Sequence, residues 1–205
     1  MLNPNHSVNK DRLRIIACGA LAREILALTD SLAYIDLICL PAILHNSPEK
    51  IPTAVDEAIT KAKAEGYGHI YIAYADCGTG GRLDQVCRKH RVERIAGPHC
   101  FSFYFGNDDF IARDEDDIYT FFLTDFLARQ FRAFVVEPLG LDKHPDLRDS
   151  YFGHYKKLVY LVQEEDSELD LAAENAAEFL GLEYERRITG YGDLTAAIEG
   201  LGASR

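Results

Sequence analysis

Short apolar runs alternate along this chain with stretches in which apolar positions recur every three or four residues. LRIIA (13–17), IDLICL (35–40), IYIAYA (70–75), VERIA (92–96) and LVYLVQ (158–163) are brief and largely apolar, and they read as strands buried on both faces. The intervening segments 20–28, 48–64, 82–90 and 169–180 carry helical spacing, with Gly181 closing the last of them. Residues 183–188 give a final strand and 193–201 a final helix. Phe122, Phe126, Leu127 and Phe131 fall near a helical period, so 120–134 is predicted as an amphipathic helix, an aromatic core element or dimer face.

Strands that alternate with helices predict an α/β fold: a mostly parallel open sheet with helices on both faces, Rossmann-like. The expected layout is a flexible N-terminal arm over residues 1–12 and a single domain over 13–205. In such a fold, ligands bind in the crevice outside the carboxyl ends of the strands. That rule makes the residues just after each strand the ones to inspect.

Three cysteines fall there. Cys18 follows the first strand, Cys77 the central one and Cys100 the short fourth one, while His45 lies in the loop after the second. Cys39 falls inside a strand and Cys87 inside a helix, where a free cysteine acts as a small buried hydrophobe. Five cysteines are an odd number, and the N-terminal MLNPNHSVNKDRLR has no hydrophobic signal core, so a disulfide framework is not expected. The expected location is the cytoplasm.

Thiolates and an imidazole from separate loops suit Zn²⁺, and a reactive zinc site keeps three protein ligands and one open position. Cys77, Cys100 and either His45 or Cys18 would supply that set for a zinc-dependent transferase. Cys18, Cys77 and Cys100 would equally hold an iron–sulfur cluster. A third reading is metal-free: Cys77 precedes a helix whose N-terminus favours a thiolate nucleophile. Each thiol is also a residue small enough for a tight turn beside glycine.

Around these, Asp76 is a candidate acid/base or ligand-orienting group, or a local loop cap. Glu24, one turn into the first helix, is a candidate for supporting a ligand or donating charge, or an ordinary surface acid. The run Gly78-Thr79-Gly80-Gly81 lacks the lysine of a phosphate loop, but Gly78 and Gly80 let the backbone pass close to a cofactor. Thr124 and Asp125 stand out inside an aromatic stretch, where burial demands partners.

The balance of 22 Lys+Arg against 33 Asp+Glu, a net charge of −11, argues against nucleic acid and anionic membrane surfaces as partners. No apolar run approaches the roughly 20 residues needed to span a bilayer. A small molecule and a second copy of the chain are the expected partners.

Taken together, ACGALAREI (17–25), LHNSPEKI (44–51), DCGTGG (76–81), GPHC (97–100) and TFFLTDF (120–126) resemble an uncharacterised bacterial and archaeal family of domains of unknown function. That family carries a Cys-Gly, a Leu-His-Asn, a second Cys-Gly and a later cysteine in this order, often with His-Asp-Cys where this chain has Pro98-His99-Cys100. The departure leaves Cys100, not a preceding histidine, as the residue carried over. Members are often encoded beside corrinoid-dependent methyltransferases. The resemblance therefore implies corrinoid-linked methyl or one-carbon transfer, or a non-catalytic carrier or accessory role toward a corrinoid protein or methyltransferase.

Overall fold

β1 (Leu13–Cys18) is the strand about which the first sheet is laid. It is flanked on both sides in parallel, by β2 (Ile35–Leu40) with Cys18 opposite Leu40 and by β3 (His69–Ala73) with Ala17 opposite Ala73. The short β4 (Glu93–Arg94) pairs with β3, giving the order β2-β1-β3-β4. Ile15, Ile16, Ala17, Ile72 and Ala73 are fully buried, as continuous apolar runs in a sheet covered on both faces must be.

Helices make the crossovers: α1 (Ala22–Thr29), α2 (Ile51–Ala64) and α3 (Arg82–His90). α2 buries Ile51, Val55, Ile59 and Ala62, residues three and four apart that form one stripe. The chain steps from β1 out to β2, then crosses back over β1 to β3. The carboxyl ends of β1 and β3 therefore flank the point where strand order reverses, the place where open parallel sheets bind ligands.

The chain forms two compact units, Met1–Cys100 with Leu194–Arg205, and Phe101–Asp193. The computed structural model describes residues 10–112 and 118–203, and most of the arm expected over 1–12 lies outside them. The second unit runs through α4 (Ser102–Phe105), α5 (Asn107–Ile111), β5 (Thr120–Thr124), α6 (Asp125–Arg129), α7 (Leu147–Phe152), β6 (Lys157–Val162), α8 (Ser167–Leu180) and β7 (Glu183–Ile188). Its sheet is also parallel, in the order β5-β6-β7, and its core gathers Leu123, Leu158, Tyr160, Val162 and Ala173. α9 (Asp193–Ala203) returns to the first unit from Leu194 onward and buries Leu194 and Ile198 there.

The parallel α/β architecture is the one the alternation predicts, with the strands shared between two sheets. Residues 120–134 differ from the single helix expected of them. TFFLT is rich in β-branched and aromatic residues and pairs along its whole length with β6. Helix begins only after Thr124, whose hydroxyl accepts from the Leu127 N–H at 3.3 Å, and a π-helical turn follows at Arg132–Val136. Asp125 is buried and partnered, receiving the Tyr160 hydroxyl at 2.8 Å and the Gln163 and Glu164 N–H groups at 3.1 and 3.0 Å. Among the described residues no helix is long and apolar enough to cross a membrane.

Candidate functional site

Three thiols meet at the carboxyl edge of the first sheet. Cys18 ends β1, Cys77 stands in the loop between β3 and α3, and Cys100 closes the turn after β4. Backbone bonds stitch the last two loops together: Ile95 N–H to the Ile72 carbonyl at 3.0 Å, then Asp76 N–H to Gly97 and Cys77 N–H to Pro98, both at 2.9 Å. This ladder continues the pairing of β3 and β4 beyond the strands and brings Cys100 against Cys77. Their sulfur atoms lie 3.2 Å apart. Cys18 lies near enough for it and Cys100 to perturb each other's ionisation.

The loop that carries Cys77 is held by Asp76. The carboxylate accepts from the Thr79 hydroxyl at 2.6 Å and from the Gly80 and Gly81 N–H groups at 3.1 and 2.9 Å. Burial works to raise its pKa, but the Thr79 hydroxyl and the two N–H groups outweigh it and hold the carboxyl below its ordinary value. Asp76 is thus the loop's internal cap and is not free for acid/base work. The same bonds bear on the cofactor-binding expectation for Gly80, whose N–H is taken by Asp76, and leave that for Gly78 untouched. A Cβ at Gly80 would meet nothing within 4 Å, so its glycine answers to a φ of +62° and to no close-packed ligand cradle.

Cys77 itself has φ +48°, a left-handed conformation that costs a residue with a side chain on the order of 1 kcal/mol. The backbone bond to Pro98 and the Asp76 cap fix it there. A half-buried thiol is thereby presented at the carboxyl edge of the sheet, beside the likewise half-buried Cys100.

The three sulfurs differ electrostatically. The Cys100 thiol, then the Ala20 N–H and Tyr74 hydroxyl, favour the Cys18 thiolate and lower its pKa, although burial opposes them. The neighbouring Cys18 and Cys77 thiols, with burial, push Cys100 well above the ordinary thiol value. The Tyr74 hydroxyl is pushed far up by burial and then by Cys18. It is buried without a hydrogen-bond partner, and Cys18, once ionised, is what it can serve.

This arrangement corrects the metal expectation. Among the described residues no group of three or more His, Cys, Asp or Glu side chains is placed to hold a metal ion. Two thiolates on one tetrahedral zinc, with bonds of about 2.3 Å, stand about 3.8 Å apart, whereas the Cys77 and Cys100 sulfurs are at 3.2 Å, within hydrogen-bonding distance of each other. His45 lies exposed on the short 3-10 segment Ala42–Asn46. Neither Zn²⁺ nor an iron–sulfur cluster is held by Cys18, Cys77, Cys100 and His45, and the zinc-dependent transferase falls with the site. The corrinoid-linked methyl-transfer role, which the resemblance implied, loses the metal site that was to carry it out, and nothing else in the structure supports it.

Glu24 is buried in the first turn of α1, not on the surface. Cys87 is buried in α3 as expected, but Cys39 is exposed, because β2 is the edge strand and no residue in it is fully buried. A cavity of about 410 Å³ opens at the opposite, amino edge of the sheet, beside Leu13, His69 and Glu93. Its basic lining serves helix ends: Lys63 donates to the His90 carbonyl in the last turn of α3 at 2.8 Å. Tyr74 is the site residue that sequence reading missed, since it sits inside an apolar run where a tyrosine reads as core.

Residues 39–198 match a family described as a protein of unknown function, DUF1638. The chain belongs to the DUF1638 family. The match takes in Cys39, His45, Cys77, Cys87 and Cys100 of this DUF1638 chain, while Cys18 lies ahead of the matched segment. No curated protein and no solved structure matches it.

Proposed function

We propose that the first unit of this DUF1638 protein is a thiol–disulfide redox centre in which Cys77 and Cys100 cycle between dithiol and disulfide. The observation that carries the reading is the 3.2 Å separation of their sulfurs. Closing that gap to a bond of about 2.05 Å takes a movement of about 1 Å, within the reach of side-chain rotation in two loops. The substrate class is a small disulfide or its dithiol counterpart. The half-buried Cys77 thiolate attacks one sulfur of the incoming disulfide and expels the other as a thiolate. Cys100 then attacks the Cys77 sulfur and expels the second. Two electrons pass from the protein to the substrate, and the two protein thiol protons end on the two released thiols.

Equilibration across a glutathione redox gradient, followed by alkylation and intact mass, tests this. Two of the five cysteines should become reversibly protected, and Cys77→Ser or Cys100→Ser should each abolish the Cys77–Cys100 linkage. Five freely alkylated cysteines across the whole gradient would refute it.

The positive φ of Cys77, at a turn from strand to helix, favours a second reading, a metal-free cysteine nucleophile held in a strained turn. An activity lost on alkylation of Cys77 and kept by Cys100→Ser would select this one.

A further inference from the structure

Cys100 is the last residue of the first unit before the chain enters the second at Phe101. A single peptide bond carries the chain from one to the other. Backbone bonds from the loop between β3 and α3 lace the chain after β4 as far as Pro98, whose carbonyl accepts from the Cys77 N–H. Cys100 lies two residues past the last of these bonds.

Phe101, on the other side of the peptide bond, is anchored in its own unit. Its ring stands 5.2 Å from Phe110, edge to face, and 5.4 Å from Phe122, stacked. Phe105 completes the cluster at 6.0 Å from Phe110 and 5.7 Å from Phe122. The Phe101 carbonyl accepts from the Tyr104 and Phe105 N–H groups at 3.2 and 3.3 Å, and so opens α4. From this juxtaposition, a thiol and an aromatic anchor on neighbouring residues of two units, we infer that the couple regulates the second unit. The Cys77–Cys100 bond holds Phe101 in its stack, and reduction lets it leave.

The inference rests on the proposed couple and names what that couple controls. With glutathione disulfide as oxidant, the Cys77–Cys100 bond forms, and the oxidant takes two electrons and the two thiol protons and leaves as two thiols. In the dithiol, a sulfur contact of 3.2 Å ties Cys100 to Cys77, and a thiol is a weak donor whose contact opens readily. In the disulfide the tie is covalent. Cys77 is itself braced, by its N–H on Pro98 and by the Asp76 cap of its loop. Phe101, one residue from the pinned sulfur, loses freedom to swing out of its stack. Openings of α4 and its neighbours that need Phe101 to leave become rarer, a coupling through restricted motion that needs no change of mean structure. Linkage makes it reciprocal, so an intact stack favours the disulfide by the same factor.

Hydrogen exchange on the full-length chain tests this, in reduced protein and in protein oxidised with excess glutathione disulfide, after peptide mapping of the linkage. Residues 101–111 and β5 should exchange more slowly in the oxidised protein by about fivefold or more. Phe101→Leu, which keeps an apolar side chain but not the ring, should lose that difference. It should also need about fivefold more oxidising glutathione to form the linkage. A midpoint unchanged by Phe101→Leu overturns the part assigned to Phe101, since a purely structural ring would leave it where it is. Equal exchange of 101–111 in the two wild-type states overturns the regulation and leaves the couple standing. A wild-type map without the Cys77–Cys100 linkage overturns the couple itself. The wild-type comparison does not depend on any variant folding.

Discussion

The Thr79 hydroxyl donates to the Asp76 carboxylate at 2.6 Å within the loop that presents Cys77. Asp76→Ala strips the acceptor from that hydroxyl and from two backbone N–H groups. The expected cost is about 1–3 kcal/mol of stability, together with slower oxidation of Cys77 as its loop loosens. Because the folded carboxyl sits below 3.8, its contribution is present above that pH and is lost as pH falls through the lower folded value. Denaturation midpoints of the two proteins should therefore differ at pH 7 and converge in acid.

Position 77 reverses the usual ranking of alanine and glycine. In ordinary backbone glycine is the less stable by about 0.5–1 kcal/mol, but at φ +48° the left-handed cost of a Cβ is removed. Cys77→Gly should be more stable than Cys77→Ala by about 1 kcal/mol, measured by chemical denaturation under reducing conditions. An ordering with alanine ahead would mean that the strain is absent in solution.

Removing the Tyr74 hydroxyl should move two quantities in opposite senses. Tyr74→Phe deletes a buried hydroxyl that has no partner in the reduced protein, and stability should rise by about 1 kcal/mol. Cys18, once ionised, loses a donor, so its ultraviolet thiolate absorbance at a given alkaline pH should fall. A lower stability with unchanged absorbance would contradict both halves.

Asp125, in the second unit, predicts the opposite pH dependence from Asp76. Burial raises its pKa above 3.8 despite the Gln163 N–H, the Tyr160 hydroxyl and the Glu164 N–H. A raised folded pKa gives stability that is fully present below the unfolded value and is lost as pH rises through the folded one. Asp125→Asn should cost about 1–3 kcal/mol, with a larger deficit near pH 4 than near pH 7. Thermal unfolding at the two pH values measures this.

The continuous apolar runs at Ile15–Ala17 and Ile70–Ala75 announced buried parallel strands, and with them the edge at which Cys18, Cys77 and Cys100 meet. What the sequence could not carry is the last ångström. Whether three thiols at one edge hold an ion or one another depends on how the loops are laced, here by the Cys77 N–H on Pro98 and the Asp76 N–H on Gly97. His45 looked equivalent because it follows a strand, but β2 is the sheet's edge and its loop lies exposed. TFFLT misled because aromatic spacing fits a helix and a strand alike over five residues, and pairing with β6 decides between them. Tyr74 carried no mark at all, since its role depends on the neighbour that register supplies.

Leu194 and Ile198 pack into the unit whose other members all precede residue 101. During synthesis on the ribosome, the sheet that bears the thiols must therefore wait, its hydrophobic face incomplete, until nearly two hundred residues have been translated, the whole of the middle segment among them. A nascent chain halted before α9 would be expected to hold its cysteines in an unfinished fold, open to cross-linking by oxidants from which the finished protein shields Cys18 and Cys87.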